Sequence, residues 1–160
     1  MTLVVILVIA LSLFTLAFLT KRRFGTLGLG LAAGALLASQ LTRDVSVLIE
    51  KNSVPVEPLT SSTAASVSLI LLPALVLLLS GPMYKSKKAA VIGAAAFALM
   101  ATMLILGPLT TALPTLDPGV KAVLGFIAIY QSLLIAAAVI GAVVDSWLTH
   151  NIRSARKNKH

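Results

Sequence analysis

The sequence contains no cysteine, few charged residues (11%) and few aromatic residues (5%). Without cysteine the chain has neither disulfides nor thiolate metal ligands, so its composition says nothing about the redox compartment. A soluble domain carries about a quarter charged residues, and this chain has too little polar surface to cover a core in water. Because 58% of its residues are hydrophobic, we predict that the chain lies in a lipid bilayer.

Charged residues are confined to short patches that separate long apolar runs. A helix needs about 20 mostly apolar residues to cross the hydrocarbon core of a membrane. We predict an all-α, polytopic membrane helix bundle over residues 1–149, followed by a basic cytoplasmic tail over 150–160. The predicted transmembrane helices are 2–20, 24–41, 62–80, 89–109 and 118–148. The polar stretch 43–51 is either an amphipathic segment at the outer interface or an extension of the second helix.

The charge of the connections alternates along the chain. Two connections are basic, and the connections that follow them are acidic or neutral. Cytoplasmic loops of membrane proteins are enriched in Lys and Arg, so the basic connections and the tail are predicted to be cytoplasmic and the N-terminus outside. This is the pattern of a bacterial cytoplasmic (inner) membrane protein, with its basic side against anionic lipid headgroups. The predicted topology determinants are Lys21, Arg22, Arg23, Lys85, Lys87 and Lys88.

Small residues recur every four positions in the second segment, at Gly30, Gly34 and Ala38. Helices in lipid associate through van der Waals contact, and a stripe of small residues lets another backbone approach closely. The stripe is predicted either to pack inside this bundle or to dock a partner. That partner would be another membrane protein or a second copy of the chain.

A short polar patch, Tyr130, Gln131 and Ser132, lies midway along the last apolar segment. Polar side chains at this depth usually face protein or a water-filled cavity. Gln131 is therefore predicted to make an interhelical hydrogen bond or to contact a substrate. No Asp, Glu, Lys, Arg or His lies near the centre of a predicted helix, which argues against proton-coupled transport.

The pattern gives little support for catalysis. Both histidines, His150 and His160, lie in the predicted tail, and all carboxylates lie at segment boundaries or in connections. No nucleophile and base are paired at membrane depth, and Asp145 with His150 is at most half of a metal site. We therefore predict no catalytic residue, cofactor or metal. No aromatic residue is interleaved with the cations of the tail, so nucleic acid is not an expected partner.

The arrangement of residues 1–109 resembles the colicin V production protein family of small bacterial inner-membrane proteins. The shared features are a basic turn with phenylalanine and glycine (KRRFG), a glycine-rich second helix, a polar loop, and a glycine near the start of the fourth helix, Gly93. The fifth segment departs from the four-helix plan of that family. The resemblance implies a role in supporting secretion or envelope function, with no catalytic residue to carry over.

The sequence thus predicts a non-enzymatic protein, an accessory or scaffold subunit of a membrane complex. The alternative is a small transporter or channel. Its path would be lined by the patch at Tyr130, Gln131 and Ser132 and by helix breaks at Pro73 and Pro108.

Overall fold

A computed structural model describes residues 2–52, 60–84, 86–112 and 118–157. Five α-helices follow one another along the chain: α1 (Thr2–Thr20), α2 (Phe24–Lys51), α3 (Ser61–Ser80), α4 (Lys87–Ala112) and α5 (Pro118–Lys157). The described residues form no β-strand, and their one isolated β-bridge joins Arg22 to Met83. The predicted all-α bundle is confirmed.

The outer surface of the bundle is apolar. Four helices are long and apolar enough to cross a membrane within the described residues, and α1 adds a shorter apolar stretch, Ile6–Thr20. Large apolar side chains such as Leu79 (82% exposed) and Ile129 (73% exposed) point outward. A contiguous surface of this kind would associate or aggregate in water. The chain is a small integral membrane protein.

The helices pack in pairs around a small core. α2 lies along α3, α1 packs mainly on α4, and α5 contacts mainly α2. The largest fully buried side chains come from α2 and α4: Leu27, Leu31, Phe97, Met100 and Ile105. Among the described residues, Ala142 is the only one that α5 contributes to the buried core. This helix is therefore the most loosely integrated element of the bundle.

The small-residue stripe of α2 lies against α3 of the same chain. Gly30, Gly34 and Ala38 are all buried. A Cβ atom at Gly34 would overlap the carbonyl oxygen of Ile70, and a Cβ at Gly30 would lie 3.2 Å from Cα of Ala74. The two backbones are therefore as close as helices become when glycine stands at their crossing.

Two helices extend well beyond their predicted ends. α2 continues beyond the predicted end at residue 41 to Lys51. The stretch 43–51 is therefore an extension of that helix, and the alternative prediction of a separate interfacial segment is wrong. α5 continues beyond residue 148 to Lys157, through most of the predicted tail. The physical reason is that a helix satisfies its own backbone hydrogen bonds and needs no lipid around it to continue. Residues 158–160 lie outside the described part of the chain.

Candidate functional site: a polar clasp at the basic end

The two basic connections lie against each other at one end of the bundle. The backbone N–H of Arg23 donates to the carbonyl of Pro82 at 2.9 Å, and the N–H of Tyr84 donates to the carbonyl of Lys21 at 2.7 Å. These bonds join the α1–α2 connection to the α3–α4 connection.

The predicted topology determinants are thereby brought together, with one exception. Lys85 lies outside the described residues. Of the others, Lys21, Lys87 and Lys88 are exposed, whereas Arg22 and Arg23 are partly buried. The two arginines therefore have roles beyond carrying charge.

Arg22 closes the C-terminal end of α3. Its guanidinium donates through Nε to the carbonyl of Leu78 (2.9 Å) and through Nη2 to that of Leu79 (2.7 Å), and Nη1 bonds the carbonyl of Gly81. The last carbonyls of a helix have no intrahelical partner and carry its negative dipole end, which a cation stabilises. Since the last turn of α3 contains no basic residue, Arg22 supplies the cation from another connection.

Asp145 performs the complementary task at the start of α2. The first turn of α2 has no acidic residue, and the side chain of Arg23 at the N-cap makes no capping bond. The carboxylate of Asp145, on α5, instead accepts from the N–H of Gly25 through Oδ2 at 2.8 Å. An anion at the N-terminus of a helix is stabilised by the unpaired N–H groups and the positive dipole end. Asp145 thus ties α5 to α2.

Tyr84 joins the Asp145 cap to two other helices. Its hydroxyl accepts from the N–H of Phe24 at 3.2 Å and donates to Asp145 Oδ2 at 3.4 Å. The guanidinium carbon of Arg23 lies 5.4 Å from the ring centroid, within cation–π range. The ring also covers Gly93 of α4, where a Cβ atom would come within 2.8 Å of the Tyr84 hydroxyl oxygen. One side chain therefore touches three helices.

Burial raises the pKa of the Tyr84 hydroxyl above its ordinary value of 10.0. The hydrogen bond from the Phe24 backbone acts in the opposite direction, and the nearby Asp145 carboxylate reinforces the rise. At neutral pH the hydroxyl is therefore protonated, as it must be to donate to Asp145.

We call Arg22, Tyr84 and Asp145 the polar clasp. Each of these side chains makes hydrogen bonds to backbone groups of another element, and Tyr84 and Asp145 also bond each other. Within the described residues, no group of three His, Cys, Asp or Glu side chains could hold a metal ion. The clasp can hold the start of α2, the end of α3 and the Asp145 region of α5 in fixed positions relative to one another. Sequence reasoning missed it, although a lone carboxylate following the apolar run that ends at Val144 was a usable signal.

The intramembrane polar patch is not gathered at one place. Gln131 Nε2 donates to the Met103 carbonyl of α4 at 2.7 Å. Tyr130 is 47% exposed, with its ring 5.2 Å from that of Phe126, and Ser132 is exposed. Successive helix residues point about 100° apart, so these three side chains line no common path. Pro73 and Pro108 lie inside α3 and α4 without ending them.

An open groove of about 250 Å³ separates the facing parts of α4 and α5. Its walls are mainly apolar. They comprise Leu106, Gly107, Thr110, Leu124, Gly125, Ala128 and Gln131. The hydroxyl of Thr110 donates to the carbonyl of Gly107, as Gln131 does to that of Met103. The polar groups at the groove are thus bonded within their own bundle.

Fold and site together define the class: a small, all-α, polytopic membrane protein whose helices are clasped at a basic end. No protein-family model, curated protein or solved structure matches the chain.

Proposed function

We propose that this protein is a non-enzymatic accessory or scaffold subunit of a complex in a bacterial cytoplasmic (inner) membrane. The observation that carries the proposal is the placement of α5. In the most apolar 18-residue window of its span Leu124–Leu148, only 6% is buried inside the bundle, against 50% for the corresponding window of α4. A helix this exposed has most of its surface free for another transmembrane helix.

The contacts of α5 support this proposal. The helix is held near the end of its apolar part by Asp145 and within that part by Gln131. Between and beyond these points its large apolar side chains face outward: Phe126, Ile129, Leu133, Ile140, Val143 and Trp147. Helices in lipid associate by surface packing rather than by the hydrophobic effect, so a free face of α5 suits another membrane protein or a second copy.

For orientation we propose the N-terminus outside and the C-terminus in the cytoplasm. The support is that both basic connections and Asp145, near the end of the apolar part of α5, meet at one end of the bundle. Lys and Arg accumulate on the cytoplasmic side of membrane proteins, and that side then faces anionic headgroups. The resemblance to colicin V production proteins adds secretion or envelope function to the proposed role. The transporter alternative has no supporting observation among the described residues, because the polar patch is dispersed.

Site-specific photo-crosslinking in living cells tests the accessory role. Ile129 on α5 and Ile92 on α4 form a matched pair, since they are 73% and 71% exposed. A photoreactive residue in place of Ile129 should give a discrete protein adduct, whereas the same residue in place of Ile92 should contact lipid. Mass spectrometry of the adduct would identify the partner or a second copy. Equal protein adducts from both positions, or none from either, would contradict the proposal.

A further inference from the structure

Lys21 has an unusual backbone conformation. Its φ is 50°, and it is the only non-glycine residue with positive φ among those the structure describes. It follows the last residue of α1, and its N–H donates to the carbonyl of Phe18 at 3.2 Å. Glycine is the usual residue at this position after a helix, because a Cβ atom disfavours the left-handed conformation. A strained residue of this kind is a reason to look for a function of its side chain.

The charge of Lys21 belongs to an unbalanced group. Lys21, Lys87 and Lys88 are exposed, and no described carboxylate forms an ion pair with them. Arg22 and Arg23 are engaged with α3 and with the Tyr84 ring. Asp145, the carboxylate of the clasp, already accepts from the N–H of Gly25.

Exposed apolar side chains lie close to these lysines in the sequence. Leu19, near the end of α1, is 71% exposed, and Met83, within the α3–α4 connection, is 60% exposed. A ligand for this surface would therefore present a negative charge beside an apolar chain. A phospholipid has both parts, whereas a free phosphate ion has only the first.

We propose that Lys21, Lys87 and Lys88 together attract the headgroups of anionic phospholipid, and that Lys21 stands in place of glycine because of its charge. The inference rests on the proposed placement of the basic end in an anionic leaflet. Its test uses purified protein, so it can fail without any change in the orientation or the partner found in cells.

Trp147 provides the signal, since it is the single tryptophan, is 63% exposed, and lies two positions after Asp145. The protein is reconstituted in vesicles of phosphatidylcholine and phosphatidylglycerol. One set of vesicles carries bromine on the phosphatidylglycerol, and the other carries it on the phosphatidylcholine. We expect the brominated anionic lipid to quench the fluorescence of Trp147 more strongly than the brominated zwitterionic lipid does at equal mole fraction. The preference should fall about fivefold for each lysine neutralised, the amount expected for one cation near an anionic surface.

The variants separate charge from folding. Lys21→Gly removes the backbone strain, so this variant should melt at the same or a higher temperature and yet lose preference for the anionic lipid. Lys21→Asn should behave in the same way, because asparagine tolerates the left-handed conformation. Lys87→Gln/Lys88→Gln should lose more. The control, Arg43→Gln/Lys51→Gln, removes two exposed cations from the distal part of α2 and should keep the preference.

Three results would overturn the inference. The first is an equal loss in the control, which would mean that net charge alone attracts the lipid. The second is a Lys21→Gly protein that melts lower with its lipid preference intact, which would make the lysine structural. The third is full competition by inorganic phosphate at constant ionic strength, which would make the ligand a free anion.

Discussion

Arg22 is the residue on which the end of α3 most depends. Its guanidinium reaches three carbonyls around that terminus, and the planar fork of arginine suits such multiple bonding better than the ammonium of lysine. Replacing it with alanine leaves partly buried carbonyls unpaired. Charge-assisted hydrogen bonds contribute about 1.5–3 kcal/mol each, with part of this recovered by water at a membrane boundary.

Arg22→Ala should therefore lower the free energy of unfolding by about 2 kcal/mol. Arg22→Lys should recover only part of the loss. Thermal melting in a mild detergent measures both. Arg43→Ala is the control, since Arg43 is exposed. If the two alanine variants melt alike, the capping role assigned to Arg22 is wrong.

The hydroxyl of Tyr84 gives the clasp a dependence on alkaline pH. Because the folded protein raises its pKa above 10.0, the neutral hydroxyl is favoured in the folded state. This contribution to stability is fully present below the unfolded pKa and is lost as pH rises through the higher folded pKa. Deprotonation would place a phenolate beside the Asp145 carboxylate.

Tyr84→Phe should consequently melt lower than the unmodified protein at neutral pH, because Phe24 N–H and Asp145 lose a partner. The difference in melting temperature between the two proteins should shrink above about pH 10. Effects of alkaline pH on the rest of the chain are common to both proteins and cancel in the difference. A difference that stays constant across this range would exclude the hydroxyl as its source.

At the scale of the elements, glycine sets how close α2 and α3 can come. At Gly34 a methyl group would meet the backbone of Ile70, which cannot turn aside as a side chain can. At Gly107 of α4 a methyl group would have nothing within 4 Å. The two positions are thus a matched pair of helical glycines in opposite surroundings.

Gly34→Ala should destabilise the isolated protein by about 1–3 kcal/mol, the usual range for overpacking. Gly107→Ala should leave stability unchanged or raise it, because alanine favours the helix. Melting of the purified protein in detergent distinguishes the two variants. Normal melting of Gly34→Ala with loss of association would instead place the stripe at an interface with another protein.

The helices themselves could be predicted from the sequence, because lipid demands long apolar runs and charge marks their limits. The extension of α2 was only one of two alternatives, and that of α5 was not predicted. Charged residues such as Arg43 and Asp44 indicate the end of the lipid-embedded part, and a helix that continues into water leaves no mark of its own in hydropathy. The clasp was missed as well: the lone carboxylate of Asp145 was a signal in the sequence, but its partner and those of Arg22 are backbone groups of other elements. Such pairings depend on how helices pack, which residue spacing within one helix does not reveal.

At the scale of the whole molecule, the bundle has two different ends. One end carries the paired connections, the clasp and the exposed Lys21, Lys87 and Lys88. The other is joined by uncharged contacts, among them the hydroxyl pair Thr42–Ser66 at 3.0 Å and the bond from Thr63 to the carbonyl of Pro108 at 3.4 Å. This asymmetry is what the proposed orientation depends on, since positive charge retained on one side opposes translocation of that side.

The most direct test of this account is the accessibility of each end in spheroplasts. The chain contains no cysteine, so Asn52→Cys after α2 and Ser86→Cys before α4 report their positions without background labelling. A membrane-impermeant maleimide should label Asn52→Cys in intact spheroplasts, and Ser86→Cys only after the membrane is permeabilised. Labelling of Ser86→Cys in intact spheroplasts, with Asn52→Cys protected, would contradict the orientation and with it the assignment of the basic end to the cytoplasm.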